Sequence, residues 1–187
     1  MNIFDQSLAR QPERPAHWFA INVKPRHEKS VTEALRRQGL ELFLPLYQES
    51  HAWSDRIKRV ELPLFAGYVF CRFSFADRVK VWSTRGVIRV LGAGNVFAPL
   101  SEDQIADLRA VVASGLPSRP CPYLVPGEPV RVERGPLIGL RGTVLRNKGV
   151  ASIVVSIEIL QRSVAVEVES DVLQPETCRR QLTRAAS

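Results

Sequence analysis

Five prolines fall within fifteen residues, Gly115 to Pro129, "GLPSRPCPYLVPGEP". Proline fixes its own φ and has no amide to donate, so neither a helix nor a central strand runs through such a stretch. The 187-residue chain is long enough for two small domains, and this stretch divides it. The expected plan is a flexible polar leader over 1–15, a first domain over 16–114, a proline-rich linker over 115–126, a second domain over 127–175 and a disordered tail over 176–187.

In the first domain "WFAINV" (Trp18 to Val23) is β-prone. "KPRHEKSVTEALRRQG" follows as a helix, with Val31, Ala34, Leu35 and Gln38 near one face and Gly39 ending the pattern. "LELFLPLYQES" predicts a second strand, "HAWSDRIKRV" a hairpin tip, and "FAGYVFCRF" a third strand. Alternation in that strand sends Phe65, Gly67, Val69 and Cys71 to one face and Ala66, Tyr68, Phe70 and Arg72 to the other. "SFADRVKVWST" predicts a short helix and "GVIRVLG" a fourth strand. In "SEDQIADLRAVVASG" Ser101 is placed to cap a helix with Ile105, Leu108 and Val112 on one stripe. The order is β-α-β-β-α-β-α, an α+β split βαβ unit whose antiparallel sheet carries helices on one face.

The second domain contains short β-rich runs, "VRVERG", "RGTVLRN", "SIVVSIEIL", "SVAVEV" and "DVLQ". Their spacing predicts a small five-stranded antiparallel barrel. Two of these runs are dense in β-branched residues, which favours a stable barrel over a helical alternative.

Twenty-six basic against 19 acidic side chains give a net charge of +7 and a pI near 9.8, a balance that favours polyanionic partners. The excess is concentrated before residue 121, where 17 basic groups face 12 acidic ones. Lys24, Arg26, His27, Lys29, Arg36 and Arg37 surround one strand end and the next helix, with Arg85 on a nearby loop. A solvated helix face and a phosphate-tracking patch both fit this cluster.

The residues do not assemble an enzyme site. His17, His27 and His51 have no metal-ligand spacing with Cys or carboxylates, and no phosphate-loop, nucleophile-elbow, zinc-protease or dinucleotide motif occurs. Cys71, Cys121 and Cys178 are too widely spaced for a disulfide framework or a CxxC site, and Cys71 reads as a small core residue. No cofactor and no metal are expected. The chain has neither an apolar run of membrane-spanning length nor a signal-peptide pattern, so a cytoplasmic location and no membrane partner are expected.

Four pieces, in order, resemble the NusG family of transcription elongation factors: "WFAINVKPRHEKSVTEALRRQG", "PLFAGYVFCRF", "TRGVIRVLG" and "PGEPVRVERGPLIGLRGTV". The resemblance extends roughly from Trp18 to Gln174. The first three pieces resemble the NusG N-terminal domain; the last resembles a KOW domain, an SH3-like barrel whose signature glycine is Gly142 here. "PLF" and "TRGV" resemble the specialised RfaH and polysaccharide-locus antiterminators more than housekeeping NusG. The chain departs from that pattern at Ala66, where relatives carry Pro. Asp77-Arg78-Val79 stands in place of the His-Thr-Thr element that touches the polymerase gate loop.

The resemblance implies a monomer that rides on RNA polymerase and suppresses pausing or termination at particular operons. Docking on the β′ clamp helices would fall to Trp18, Asn22, Phe65, Tyr68, Phe70 and Leu108, although Phe70 and Leu108 also fit a plain core. Upstream or non-template DNA would meet Lys24, Arg26, Arg36, Arg37, Thr84 and Arg85. The KOW domain would recruit Rho or a small-subunit ribosomal protein through Ile159, Leu160 and Arg162, where the family's Phe-Gly-Arg turn reads Leu160-Gln161-Arg162. A ribosome-associated KOW protein that binds ribosomal RNA is the alternative from another class.

Overall fold

The structure, a computed structural model, describes residues 15–52, 57–93, 96–122, 127–147 and 150–175. The expected leader and tail lie almost wholly outside these. Two compact units divide between Ile105 and Ala106. That division lies inside the helix before the prolines.

The first unit is built on β1 (His17–Val23), followed by α1 (Glu28–Arg37) and β2 (Glu41–Phe43). A separate two-stranded arm, β3 (Leu46–Ala52) with β4 (Ile57–Pro63), comes next, then β5 (Tyr68–Phe73). The arm corrects the expected hairpin tip: its second strand begins at Ile57, while 53–56 lie outside the described residues. A 3-10 turn (Phe75–Asp77) leads into α2 (Arg78–Ser83), and β6 (Val87–Val90), β7 (Gly92–Ala93), β8 (Val96–Phe97) and β9 (Pro99–Leu100) complete the strands.

The main sheet runs β2-β5-β1-β6 with β9 also on β1, and every pair in it is antiparallel. This is the expected split βαβ topology. One face of the sheet carries the core: Phe19, Ile21 and Val23 from β1, and Val69, Cys71 and Phe73 from β5. Val31 and Leu35 of α1 and Val81 of α2 close it. α1 forms where it does because Glu28, Val31, Thr32 and Leu35 make one buried stripe. Glu28 in its first turn and Arg36 and Arg37 in its last match the helix dipole.

α3 (Glu102–Ala113) opens on Ser101 as expected. The Ser101 hydroxyl accepts the Gln104 amide at 3.2 Å. In return Gln104 Oε1 accepts the Ser101 amide at 3.0 Å, which completes a reciprocal capping box. The buried stripe is Ile105, Leu108 and Val111, and Val112 is exposed, so the expected stripe is off by one residue at its last turn.

The second unit is a six-stranded antiparallel sheet, one strand more than expected. β10 (Ser118–Pro122) comes out of the predicted linker, and β11 (Glu128–Val132), β12 (Arg141–Asn147), β13 (Val150–Ile157), β14 (Arg162–Val168) and β15 (Leu173–Pro175) are the expected five. Their order is β10-β14-β13-β12-β11-β15, around a core that includes Val130, Leu140, Ile153, Ile157 and Val164.

β10 is compatible with its prolines because it is an edge strand. Glu167 donates its amide to the Pro117 carbonyl at 3.0 Å. With Arg119 opposite Ala165 and Cys121 opposite Ser163, alternation turns the backbone groups of Ser118, Pro120 and Pro122 away from β14. Gly142 lies where β12 crosses close to β13. A methyl group there would come within 2.5 Å of the Val154 carbonyl oxygen and 2.8 Å of Ile153 Cγ1, which gives the KOW glycine a steric reason.

Candidate polymerase and nucleic-acid interface

One residue organises the first unit's candidate site. Gly67 donates its amide to Glu28 Oε1 at 2.8 Å, and its carbonyl accepts the Val23 amide at 2.9 Å and Asn22 Nδ2 at 3.1 Å. The end of β1, the start of α1 and the entrance to β5 are thereby tied together. Gly67 has φ +82 and lies third in a turn closed by the Tyr68 amide on the Phe65 carbonyl at 3.0 Å. Such turns favour glycine at that position.

The turn corrects the expected alternation. Because the chain reverses at Ala66-Gly67, Phe65 lies on the same side as Phe70. Their rings meet edge to face with centroids 5.6 Å apart, and Phe43 stacks on Phe70 at 6.1 Å. Phe65 and Phe70 are fully buried, while Asn22 and Tyr68, opposite each other in the β1–β5 register, are partly exposed.

Trp18 also lies on this second face of the sheet, opposite Arg72. Its indole N–H donates to Glu102 Oε2 at 3.1 Å, and Arg72 pairs with Glu102 at 3.1 Å and Glu41 at 3.6 Å. Trp18 is therefore buried and polar-anchored. Leu108 is buried too, but it falls in the second unit. Of the six expected docking residues the structure thus brings together Phe65 and Phe70, and separately Asn22 and Tyr68, around the Gly67 turn.

The basic residues lie along α1. The Lys24 amide donates to the Gly86 carbonyl at 2.8 Å, and Arg26 has a left-handed backbone at φ +65. A non-glycine residue in that region is strained, and such strain concentrates at functional sites. At the other end of α1, Gln38 Nε2 donates to Thr84 Oγ1 at 3.0 Å. The loop from Thr84 to Gly86 therefore runs beside α1, with exposed Arg85 between Lys24 and Arg26 at one end and Arg36 and Arg37 at the other. Arg37 lies 3.7 Å from Glu33. This exposed pair, one helical turn apart, has little energetic weight. Thr84 is buried: its hydroxyl donates to the Lys80 carbonyl at 2.8 Å and ends α2.

In the second unit Ile159 and Leu160 lie in a 3-10 turn, Glu158–Leu160, and Arg162 follows it. Leu160 is buried, Ile159 is half-buried and Arg162 is exposed. Gln161 has φ +50, so the residue standing at the family's glycine adopts the backbone that glycine favours.

Sequence reasoning missed three groups. Glu28 and Glu102 each sit in the first turn of a helix, a visible signal, but their acceptor roles depend on distant residues. Phe75, Trp82 and Phe97 read as ordinary apolar positions. Trp82 is 5.7 Å from Phe97 and Phe75 6.1 Å from it, centroid to centroid, and Phe75 and Trp82 are largely exposed. Beside them the Lys80 ammonium at 2.7 Å and the Ser74 hydroxyl at 2.9 Å hold the Asp77 carboxyl below its usual range.

Cys71 is buried as expected, and burial pushes its thiol up to about 12. Cys121 is raised by its partial burial, and Cys178 lies outside the described residues. Among the described residues no cluster of His, Cys, Asp and Glu could hold a metal ion, and no helix is long and apolar enough to cross a membrane.

An antiparallel split βαβ unit with a tethered aromatic turn and a basic edge, followed by a small β unit, defines a two-part binding module. The chain belongs to the NusG family of transcription factors: the family model described as transcription termination factor nusG matches residues 16–109. It is similar in fold to Thermotoga maritima NusG, in a structure describing domain interaction in that protein. The TM-score is 0.56 and the identity 16%, over 86% of this chain and 97% of that one. Against the MjSpt4:Spt5 complex in conformation A the TM-score is 0.30 at 14% identity, over 84% of this chain and 96% of that one, a likeness too slight to carry an argument. No curated protein sequence matches the chain.

Proposed function

We propose that this protein is a specialised NusG-family elongation factor that binds RNA polymerase at the β′ clamp helices and suppresses pausing or termination at particular operons. The observation that carries this reading is the family match over residues 16–109, the stretch that contains both the aromatic turn and the basic edge. It acts in the cytoplasm as a monomer.

Docking uses the surface around the Gly67 turn, with Tyr68 and Asn22 as its accessible members and Phe65, Phe70 and Trp18 as the packed support behind them. Leu108 joins the docking surface only by its resemblance to family positions. Upstream or non-template DNA is tracked by Lys24, Arg26, Arg36, Arg37 and Arg85. Thr84 acts through position: with its hydroxyl committed to Lys80 and Gln38, it fixes the loop that presents Arg85. The second unit recruits Rho or a small-subunit ribosomal protein through Ile159 and Arg162, with Leu160 holding their turn in place.

In vitro transcription on a paused and on a Rho-terminated template tests the reading. Wild-type protein is expected to increase read-through, and Tyr68→Ala to lose most of that effect while melting at the wild-type temperature. Phe65 is fully buried, so Phe65→Ala is expected to lose the effect together with stability. No change in pausing or termination with wild-type protein overturns the proposal. Co-purification with ribosomal subunits and not with polymerase favours the ribosomal alternative instead.

A further inference from the structure

Trp18 is only 1% exposed, although the docking reading expects it at the partner surface. Its indole N–H is held by a carboxylate that is itself largely open to water, since the Glu102 side chain is 64% exposed. Glu102 stands in the first turn of α3, and Trp18 lies opposite Leu100, the last residue of β9. A buried indole donor without an acceptor is costly, so this hydrogen bond holds the first turn of α3 beside the ring.

The carboxylate is shared. Glu102 Oε2 accepts from Trp18 at 3.1 Å, while Oε1 pairs with Arg72 Nη2 at 3.1 Å. Arg72 Nη1 is 3.6 Å from Glu41, the residue directly opposite Arg72 in the β2–β5 register. Arg72 Nε is buried and has no hydrogen-bond partner among the described residues. The guanidinium therefore has two carboxylates within reach and leaves one donor unused. A fork of Nε and one Nη on Glu41 satisfies that donor in bidentate geometry and frees Glu102. One cation with two alternative acids is a two-state element that a partner can bias.

We infer that Glu102 gates Trp18. With Arg72 and the indole both on Glu102, the ring is shielded. With Arg72 on Glu41, the first turn of α3 withdraws and the ring joins the docking surface around the Gly67 turn. Glu102 is a positioning residue, because it acts only through Trp18 and Arg72. The inference rests on the proposal that this part of the first unit docks on RNA polymerase, and it names what regulates that surface.

The test uses the full chain carrying Trp53→Phe and Trp82→Phe, which leaves Trp18 as its one tryptophan. Acrylamide quenching reads the exposure of Trp18, and titration against RNA polymerase reads the gate. Glu102→Ala is expected to make Trp18 readily quenched and to tighten polymerase binding by up to about tenfold, the gain available when the competent state is about a tenth populated. Glu41→Gln removes the alternative carboxylate and is expected to move both readouts the other way, below wild type. It leaves the Trp18–Glu102 bond in place, so its effect does not depend on how well Glu102→Ala folds. Quenching of Glu102→Ala at the wild-type level overturns the gate. So does an exposed Trp18 with unchanged or weaker polymerase binding, which makes Glu102 a structural contact only. Failure of wild type and both variants to bind polymerase overturns the docking reading and the gate together. Wild-type binding without opposite effects of the two variants overturns the gate alone.

Discussion

Glu28 accepts the Gly67 amide at 2.8 Å from the first turn of α1, thirty-nine positions away in sequence. A carboxylate that is almost fully buried thus fixes the turn that carries Phe65 and Tyr68. Substituting Glu28→Ala leaves that amide without its acceptor and is expected to lower stability by about 1–3 kcal/mol. Glu28→Gln keeps an acceptor oxygen and is expected to lose less. Urea unfolding of the three proteins checks the order; equal midpoints for Ala and wild type would show that water replaces the carboxylate.

Gly142→Ala should destabilise the second unit through steric overlap, because its methyl group is forced against the Val154 carbonyl and Ile153. A shift of about 1–3 kcal/mol is expected, without loss of the first unit's fold. Thermal unfolding followed by amide exchange, which separates the two units, is the measurement.

At Gln161 the opposite sign is expected. Its backbone is left-handed, and replacing it by glycine relieves about 1 kcal/mol of strain. The gain is reduced by loss of the hydrogen bond from Gln161 Nε2 to the Glu158 carbonyl at 2.8 Å. A small rise in the second unit's melting temperature is the predicted net outcome, and a fall would mean that the side-chain bond dominates.

Cys71 makes stability depend on pH at the alkaline end. Its folded value, about 12, is above the ordinary thiol value of 9.0. Between the two the unfolded chain releases the proton and the folded chain retains it, so stability falls as pH rises, by at most about 1.4 kcal/mol per unit. Wild type measured against Cys71→Val from about pH 8 to about pH 10.5 should show this extra decline, and parallel profiles would refute it. In the same range iodoacetamide should modify Cys121 well before Cys71.

Much of the fold was legible because its signals are local. Val31 and Leu35 on one face of α1, Ser101 at the start of α3 and the β-branched runs of β13 and β14 each declare themselves within one element, whereas Ala34 and Gln38, expected on that face of α1, give way to Glu28 and Thr32 in the buried stripe. The site was less legible because its geometry is set by turns and by distant partners. Strict alternation placed Phe65 opposite Phe70, and only the left-handed Gly67 brings their rings together. Trp18 reads as an exposed anchor until Glu102, eighty-four positions later, takes its indole proton in a hydrogen bond. Thr84 reads as a polar contact residue until Gln38 and Lys80 consume its hydroxyl. β10 was unreadable as a strand for a related reason: a proline count is blind to which amides a strand edge needs.

That edge has a consequence for how the molecule behaves among its own copies. A sheet that propagates from chain to chain needs a donor at every second residue of its border. The outward row of β10 offers the amide of Ser118 and then two rings with nothing to give. Crowding copies together therefore cannot extend the second unit's sheet across this border.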